Sequence, residues 1–294
     1  MIVVERAPPY LTVQDLGRFG YRSSGVPIAG AMDQWSFAKA NLLVGNDRNA
    51  AALEWAIGPG ALRFMKDSVV SIAGSQVEAT IDEQPVVGGA AIEVRAGQLL
   101  AVQRLIDLRF VYIAIAGGIS CPEILGSRST YLPASFGGIE GRRLKTGDRV
   151  DTIDRSLSLM SGEIDSLYHP DFHEEELRAV VADSASFEMI AGKTYRVSHL
   201  SDRMGYRLES DDVSIRGASI TSEPVCPGTI QLPPDGQPIV LMADSPTIGG
   251  YRVCGAVISA DMPILAQCMP GRQVRFSSIS LEEAQHTLRD HGVS

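Results

Sequence analysis

Three glycine-rich stretches of the chain combine residue types that bind small polar or anionic ligands. The first covers residues 12–33 and carries Arg18 and Asp33. Glycine allows the backbone to approach a ligand closely, and the planar guanidinium of arginine fits a carboxylate or a phosphate. Residues 126–142 and residues 244–251 have the same character. Each stretch alone could be a tight turn, but three of them in one chain favour a binding site.

Two other fragments imitate known sites. Residues 191–194 end like a Walker loop, but Phe187 stands where the first glycine of that loop is required. The stretch from His169 to His173 could chelate a divalent ion, but Pro170 opposes a helix that presents both rings together. We therefore expect no metal site. A nucleophile elbow of the form Gly-x-Ser-x-Gly is also missing, so a self-sufficient hydrolase is not expected.

Short apolar or alternating runs, separated by turns that contain glycine, indicate a mainly β chain. Hairpins and bends fit this pattern better than alternating strands and helices do. Two helices stand out: residues 32–44, followed by Gly45, and a C-terminal helix that begins with the capping box Ser280-Leu281-Glu282-Glu283. The predicted strands cover residues 1–4, 69–73, 76–81, 91–94, 99–103, 109–116, 239–242, 253–258 and 273–276.

An imperfect internal repeat predicts two domains of similar design. Residues 13–22 match residues 197–207 through Val, Leu, Arg, Gly, Tyr and Arg, with one extra residue in the second copy. Further along, residues 59–64 are echoed by residues 270–276. The order of the elements is therefore the same in both halves of the chain.

The segment between the two copies, residues 156–176, is polar, acidic and weakly periodic, as is typical of a linker. The 294 residues are enough for two domains. We place the boundary near Arg178. Residues 1–177 then form the N-terminal domain with the linker, and residues 178–294 form the C-terminal domain.

Composition excludes several classes of partner. The net charge is −9, and no long cluster of basic residues occurs, so neither nucleic acid nor an anionic membrane is an expected partner. The N-terminus has no basic region followed by a long apolar stretch, which favours a cytoplasmic protein. The four cysteines are scattered without Cys-x-x-Cys spacing, and we expect reduced thiols without a metal.

Short motifs distributed over residues 10–276 form one recognisable pattern. They are Thr12-Val13-Gln14-Asp15 with Gly17-Arg18 and Gly20, Gly30-Ala31-Met32-Asp33, residues 40–46, Gly137-Gly138 with Gly141-Arg142, and residues 201–208, 227–231 and 257–261. With these motifs the chain resembles the family of 5-oxoprolinase C-type subunits, KipI antagonist (KipA) and allophanate hydrolase subunit 2. The same family occurs within the carboxyltransferase region of urea carboxylases.

The resemblance implies a mainly β fold, with two cyclophilin-like β-barrel domains and a few short helices. It implies a non-autonomous subunit of an ATP-dependent 5-oxoprolinase, which opens the lactam of 5-oxoproline to glutamate. The partners expected from the family are a B-type, KipI-like subunit and an A-type, LamB/YcsF-like subunit, with ATP as the cofactor of the complex. In urea carboxylase the similar region instead moves a carboxyl group from biotin to urea.

We expect the glycine-rich stretches of both domains to line a polar cleft for a small amide substrate. Arginine and backbone N–H donors in such a cleft stabilise developing negative charge. The candidate catalytic residues are Arg18, Asp33 and Asp244. The candidate substrate-binding residues are Asn41, Ser129, Thr130, Arg142, Arg203, Gln231, Thr247, Gly249, Gly250 and Tyr251.

The third stretch departs from the family pattern. Pro246, Ile248 and Arg252 stand where the family usually has Gln, Thr and Pro, and Pro224 stands where a Gly is common. The chain therefore lacks an amide and a hydroxyl group that the family usually has in this stretch. The sequence does not identify the substrate. Two alternatives follow. One is a regulatory protein that binds a KipI-like kinase inhibitor, and the other is a biotin-dependent carboxyltransferase component that acts on urea or a similar small amide.

Overall fold

The computed structural model describes residues 1–154, 170–212 and 215–290. As predicted, the chain is mainly β with few helices. The α-helices of the described residues are α1 (Gln34–Leu43), α2 (Ser184–Ile190), α3 (Met262–Gln267) and α4 (Leu281–Asp290). The strands are β1 (Ile2–Arg6), β2 (Tyr10–Gln14), β3 (Ala52–Ala56), β4 (Gly60–Phe64), β5 (Ser68–Gly74), β6 (Val77–Ile81), β7 (Gln84–Val86), β8 (Ala91–Val94), β9 (Leu99–Leu105), β10 (Phe110–Ile115), β11 (Ile119–Ser120), β12 (Arg149–Thr152), β13 (Glu176–Val181), β14 (Thr194–Val197), β15 (Gly205–Glu209), β16 (Ser219–Pro224), β17 (Thr229–Leu232), β18 (Ile239–Leu241), β19 (Ile248–Val257) and β20 (Gln273–Ile279).

The chain divides into two compact units. Unit 1 consists of Met1–Arg18 and Ala29–Leu167, and unit 2 consists of Phe19–Ile28 and Tyr168–Ser294. The first glycine-rich stretch is therefore shared between the units. Residues 12–18 and 29–33 of this stretch belong to unit 1, and residues 19–28 belong to unit 2.

Part of the predicted linker and of the predicted histidine cluster lies outside the described residues. This applies to residues 155–169, which include His169. The domain boundary near Arg178 stays a prediction. Arg178 itself lies in β13, where its guanidinium pairs with Asp261 at 2.6 Å.

Unit 1 contains two antiparallel sheets around an apolar core. The seven-stranded sheet has the order β11-β12-β1-β4-β9-β6-β7, and the five-stranded sheet has the order β2-β3-β10-β5-β8. Trp55, Leu62, Phe64 and Ile113 are fully buried in the core between them. Burial of one such side chain stabilises the fold by about 1.5–3 kcal/mol. This core fixes the ends of β2 and β3, from which the first glycine-rich stretch and α1 are positioned.

Helix α1 lies within the predicted range and begins after Asp33, whose carboxylate accepts a hydrogen bond from the backbone N–H of Ser36 at 2.9 Å. It packs against β5 and β10. The polar residues Ser36 and Asn41 are fully buried, and Trp35 is buried as well. Such a helix, enclosed on more than one side, has no simple apolar stripe.

Unit 2 contains one sheet with the order β13-β20-β14-β15-β18-β17-β19-β16. Strand β13 pairs in parallel with β20 and antiparallel with β19, which closes seven of the strands into a circuit. Strand β16 stays outside this circuit and pairs with the first half of β19. The likeness of either unit to cyclophilin stays a prediction.

Strand β19 corrects the interpretation of the third glycine-rich stretch as a loop. The sequence pattern predicts that the strand starts at Val253, but it starts at Ile248, because β16 pairs with its first residues. Gly249 and Gly250 therefore lie in a strand, and of this stretch only residues 244–247 lie in the loop that precedes it. No helix among the described residues is long and apolar enough to cross a membrane.

Candidate functional site

Arg18, a candidate catalytic residue, is fully buried in unit 1. Its Nη2 atom donates a hydrogen bond to the carbonyl oxygen of Ser129 at 2.5 Å, and its guanidinium lies over the ring of Phe136, 4.7 Å from the centroid. Because the cation is engaged with the protein in this way, Arg18 holds the segment around Ser129 in place. A contact between Arg18 and a substrate stays a prediction.

Ser129 and Thr130 are also fully buried and bonded within unit 1. The hydroxyl of Ser129 donates to the Asp15 carboxylate, which also accepts from the Ser127 hydroxyl at 2.7 Å. The hydroxyl of Thr130 donates to the carbonyl oxygen of Val13 at 2.9 Å. These side chains tie the second glycine-rich stretch to the end of β2.

Asp33 and Asn41 lie at the two ends of α1. Asp33 caps the start of the helix, and Asn41 donates a hydrogen bond to the carbonyl oxygen of Ala50 at 2.8 Å. The amide oxygen of Asn41 accepts from Asn46 Nδ2 at 3.0 Å. Both candidates therefore have positions that stabilise the helix and the turn that follows it.

Arg142 is the partly exposed candidate of unit 1. Its guanidinium binds both carboxylate oxygens of Asp148, at 2.7 and 3.1 Å, and pairs with Glu140 at 2.7 Å. The hydrogen bond from Arg142 lowers the pKa of Asp148 below its usual range, and the same bond raises the pKa of Arg142. The charge of Arg142 is thus balanced by carboxylates of unit 1.

In unit 2, Arg203 and Asp244 form a buried ion pair with two hydrogen bonds. Arg203 Nε lies 2.9 Å from Asp244 Oδ2, and Arg203 Nη2 lies 2.8 Å from Asp244 Oδ1. The backbone N–H of Asp244 also donates to the carbonyl oxygen of Arg203 at 2.8 Å. The structure thus brings these two candidates together, and the pair fixes the start of the loop 244–247.

Gln231 and Gly249 are a second pair of candidates that meet in unit 2. Gln231 lies on β17 with its side chain buried, and a methyl group at Gly249 would overlap the Gln231 Nε2 atom. Gly250 has more room, since the atoms nearest to an added methyl group, Ile220 O and Ser222 Oγ, would be 3.6 Å away. Glycine is therefore required at 249 by the close approach of an amide donor.

Thr247 and Tyr251 border this region. The carbonyl oxygen of Thr247 accepts a hydrogen bond from the backbone N–H of Val225 at 3.1 Å. Tyr251 is 38% exposed and lies opposite Ser219 of β16. The candidates of unit 2 thus surround the end of β16, the loop 244–247 and the beginning of β19.

Arg22 is a residue of this region that sequence reasoning missed. It belongs to unit 2, where its Nη2 atom donates to the carbonyl oxygens of Val225 and Pro246, the latter at 3.4 Å. A signal is present in the sequence, because Arg22 and Arg207 are the last matched pair of the internal repeat. The sequence pattern nevertheless favours Arg18 as the anion ligand, because Arg18 lies between two glycines.

The described residues can be compared with the groups that ATP, a metal ion and biotin would require. Residues 191–194 do not fit an ATP phosphate, because Thr194 begins strand β14 rather than a helix and Lys193 pairs with Asp212 at 2.5 Å. Within the described ranges, no group of three or more His, Cys, Asp or Glu could hold a metal ion. The amide donor of Gln231 fits an acceptor oxygen, which a lactam acid and the ureido ring of biotin both possess.

The chain is similar to known proteins over nearly its whole length. The family model described as carboxyltransferase domain, subdomain A and B, matches residues 24–278. The chain is 38% identical to the C subunit of 5-oxoprolinase from Escherichia coli strain K12 over 301 residues, which cover 99% of this chain and 95% of that protein. It is 30% identical to urea amidolyase of Lachancea kluyveri over 94% of this chain, but over only 17% of that protein.

A solved structure gives the same result for the fold. The crystal structure of Kluyveromyces lactis urea amidolyase matches 97% of this chain with a TM-score of 0.85 and 27% identity, and the match covers 19% of that chain. The family expected from the sequence motifs is therefore confirmed. The chain belongs to the carboxyltransferase domain, subdomain A and B, family, together with the C subunit of the Escherichia coli 5-oxoprolinase.

Proposed function

We propose that this chain is the C-type subunit of an ATP-dependent 5-oxoprolinase, which hydrolyses the lactam of 5-oxoproline to glutamate. The observation that carries the proposal is the 38% identity to the Escherichia coli C subunit over 95% of that protein. In this proposal the enzyme also contains a KipI-like B-type subunit and a LamB/YcsF-like A-type subunit. The chain is inactive without them.

The geometry of unit 2 supports a role in binding the small amide. A small amide acid is bound by buried hydrogen-bond donors, because its oxygen atoms accept hydrogen bonds. Gln231 offers a buried amide donor beside Gly249, and the Arg203–Asp244 pair holds the adjoining loop in position. In this proposal Asp244 acts as a positioning residue, because both of its carboxylate oxygens are bound by Arg203.

ATP is assigned to the assembled complex rather than to this chain. The Gly-Lys-Thr sequence does not form a phosphate loop, and Lys193 is engaged by Asp212. When bound by the complex, ATP supplies the phosphoryl transfer that activates the lactam. The part of this chain is then to bind and orient the amide.

A carboxyltransferase role is the second candidate, since the family model and the urea amidolyase relative both support it. In that role the chain accepts a carboxyl group from biotin and transfers it to urea or a similar amide. It predicts a dependence on biotinylated protein and bicarbonate, which the oxoprolinase role does not.

The deciding experiment is glutamate release from 5-oxoproline with ATP, measured for this chain alone, for each pair of subunits and for the full set. We expect activity in the full set only. Transfer of carboxyl groups to urea in the presence of a biotin carboxylase, with no glutamate release, would establish the second candidate. No activity in either assay, combined with tight binding to the KipI-like subunit, would support the regulatory alternative.

A further inference from the structure

Three buried polar atoms of unit 2 make no hydrogen bond to the described residues. They are Arg22 Nη1, Gln231 Nε2 and Ser245 Oγ. The side chain of Gln231 belongs to a residue that is 5% exposed, and Ser245 is fully buried. Buried donors are nearly always satisfied in folded proteins, because an unmade hydrogen bond is costly there. Three unsatisfied groups in one region indicate an occupant that is not part of the described chain.

Arg22 and Gln231 share Val225 as a neighbour, and Arg22 also contacts the residue that follows Ser245. Arg22 Nη2 donates to the carbonyl oxygens of Val225 and of Pro246, the residue directly after Ser245. A methyl group at Gly249 would meet both Gln231 Nε2 and the Val225 side chain. Val225 thus contacts Arg22 through its carbonyl group, and its side chain lies on the side of Gly249 where the Gln231 amide is found.

Arg22 has no ion-pair partner among the described residues. No carboxylate of the described residues lies within ion-pair distance of Arg22, and its guanidinium donates only to neutral carbonyl groups there. Arg203, in the same unit, has Asp244 as its partner. A guanidinium that lacks a counter-ion and has a buried N–H to donate favours a carboxylate, whose two oxygens accept several hydrogen bonds.

We propose that Arg22, Gln231 and Ser245 form a binding site for the carboxylate of a small amide acid. The inference rests on the proposed function, because 5-oxoproline carries a carboxylate next to its lactam and urea carries none. Arg22 supplies the charge, while Gln231 and Ser245 donate neutral hydrogen bonds. Cys226, Pro246 and Ile248 are exposed beside the site and mark its open side.

The test is equilibrium dialysis of labelled 5-oxoproline against this chain together with its B-type and A-type subunits, without ATP. 2-Pyrrolidinone, which is the same lactam without a carboxylate, serves as one competitor, and urea and glutamate serve as the others. We expect 5-oxoproline to bind, glutamate to compete, and 2-pyrrolidinone and urea to compete at least about tenfold more weakly, as the loss of one charge-assisted hydrogen bond requires.

Three variants separate the site from general damage. Arg22→Gln weakens binding of 5-oxoproline by about tenfold or more, while Arg207→Gln, which removes the same charge at the matching repeat position, leaves it unchanged. Gln231→Glu keeps the size of the side chain and places a negative charge among the donors, so it abolishes binding, and circular dichroism of the same preparation checks that the variant is folded.

Equal competition by 2-pyrrolidinone and 5-oxoproline, or unchanged binding by Arg22→Gln, overturns the site. Carboxylate-specific binding in a complex that never releases glutamate overturns the proposed function and leaves the site standing. Glutamate release with a KM for 5-oxoproline that Arg22→Gln leaves unchanged overturns the site and leaves the proposed function standing.

Discussion

Arg203 and Asp244 bind each other through two parallel hydrogen bonds, and their side chains are only 8% and 3% exposed. The pair connects the turn after β14 with the loop after β18. The loop leads directly to Gly249, so the position of the glycines opposite Gln231 depends on this ion pair. The sequence predicts Asp244 as a catalytic residue and Arg203 as a substrate-binding residue, and the structure shows the two bound to each other.

Removal of one partner of this pair should strongly destabilise the fold. Asp244→Ala leaves the guanidinium of Arg203 buried without a counter-ion, and we expect the free energy of unfolding to fall by about 3–5 kcal/mol. Urea denaturation followed by circular dichroism measures the change. The matched control is Asp211→Ala, which removes the exposed partner of Arg196 and should have little or no effect. Equal effects of both substitutions would show that the buried pair is no more important than a surface pair.

Gly249→Ala should disturb the position of the Gln231 amide, because the added methyl group overlaps Nε2. Gly250→Ala is the control, since the corresponding methyl group has ordinary contacts at 3.6 Å. We expect a loss of about 1–3 kcal/mol in the free energy of unfolding for Gly249→Ala, as for other overpacked sites. The double substitution Gly249→Ala with Gln231→Ala should restore part of that loss. Additive effects in this double-mutant cycle would contradict the contact.

The Arg142–Asp148 pair should make stability depend on pH at the acid end. Because the hydrogen bond from Arg142 lowers the folded-state pKa of Asp148, the pair stabilises the fold above the unfolded-state pKa of about 3.9. This contribution is lost as the pH falls through the folded-state pKa.

The check is a series of urea denaturations between pH 7 and the acid range. Asp148→Asn should lower stability at pH 7 and flatten the acid limb of the curve. Glu93→Gln, which removes an exposed carboxylate that makes no ion pair with described residues, should leave the limb as it is. An unchanged acid limb in Asp148→Asn would assign the effect to other carboxylates.

Asp33 can be tested for a structural and a catalytic role with two substitutions. Asparagine caps helices as well as aspartate does, so Asp33→Asn should preserve stability, while Asp33→Ala should lose about 1 kcal/mol or more. Thermal unfolding measures both. If Asp33→Asn folds normally and the complex still releases glutamate at the wild-type rate, the predicted catalytic role of Asp33 is wrong.

Cys226 should be the cysteine that reacts first with iodoacetamide at pH 8. It is exposed, whereas Cys254 and Cys268 are buried. Burial raises the pKa of Cys254 to about 12 and that of Cys121 to about 11, so neither forms much thiolate at this pH. Peptide mass spectrometry after a short exposure identifies the labelled thiol. Rapid labelling that persists in Cys226→Ser would show that one of the other thiols is accessible.

The elements with a clear local pattern could be predicted from the sequence. Strand β8 has the predicted bounds, and α4 begins at the predicted capping box, where Ser280 and Glu283 bond each other at 2.7 Å. Helix α3 was missed because most of its residues are buried, so its sequence shows no amphipathic period. Pro263 at its start gives no clear signal, since proline is common in turns as well as in the first turn of a helix.

The candidate site was harder to predict because its geometry depends on residues that are distant in sequence. Arg22 contacts Val225, more than 200 residues later, and only the fold brings them together. The sequence indicated which types of side chain could bind a ligand, but it did not indicate which residues those side chains contact in the fold. Arg18 and Arg203 occupy the same place in the internal repeat, yet one is bound by a carbonyl oxygen and a ring and the other by a carboxylate.

The assignment of residues 19–28 to unit 2 has a consequence for how the chain folds during synthesis. These ten residues are synthesised early, between strands of unit 1 whose sheets contain only strands of that unit. Unit 2, however, is not complete until the strands beyond residue 170 have been made. A gene fragment that encodes only the second half lacks the segment that carries Arg22. The second unit therefore requires a segment encoded in the first half of the gene, although the internal repeat predicts two domains that are each continuous in sequence.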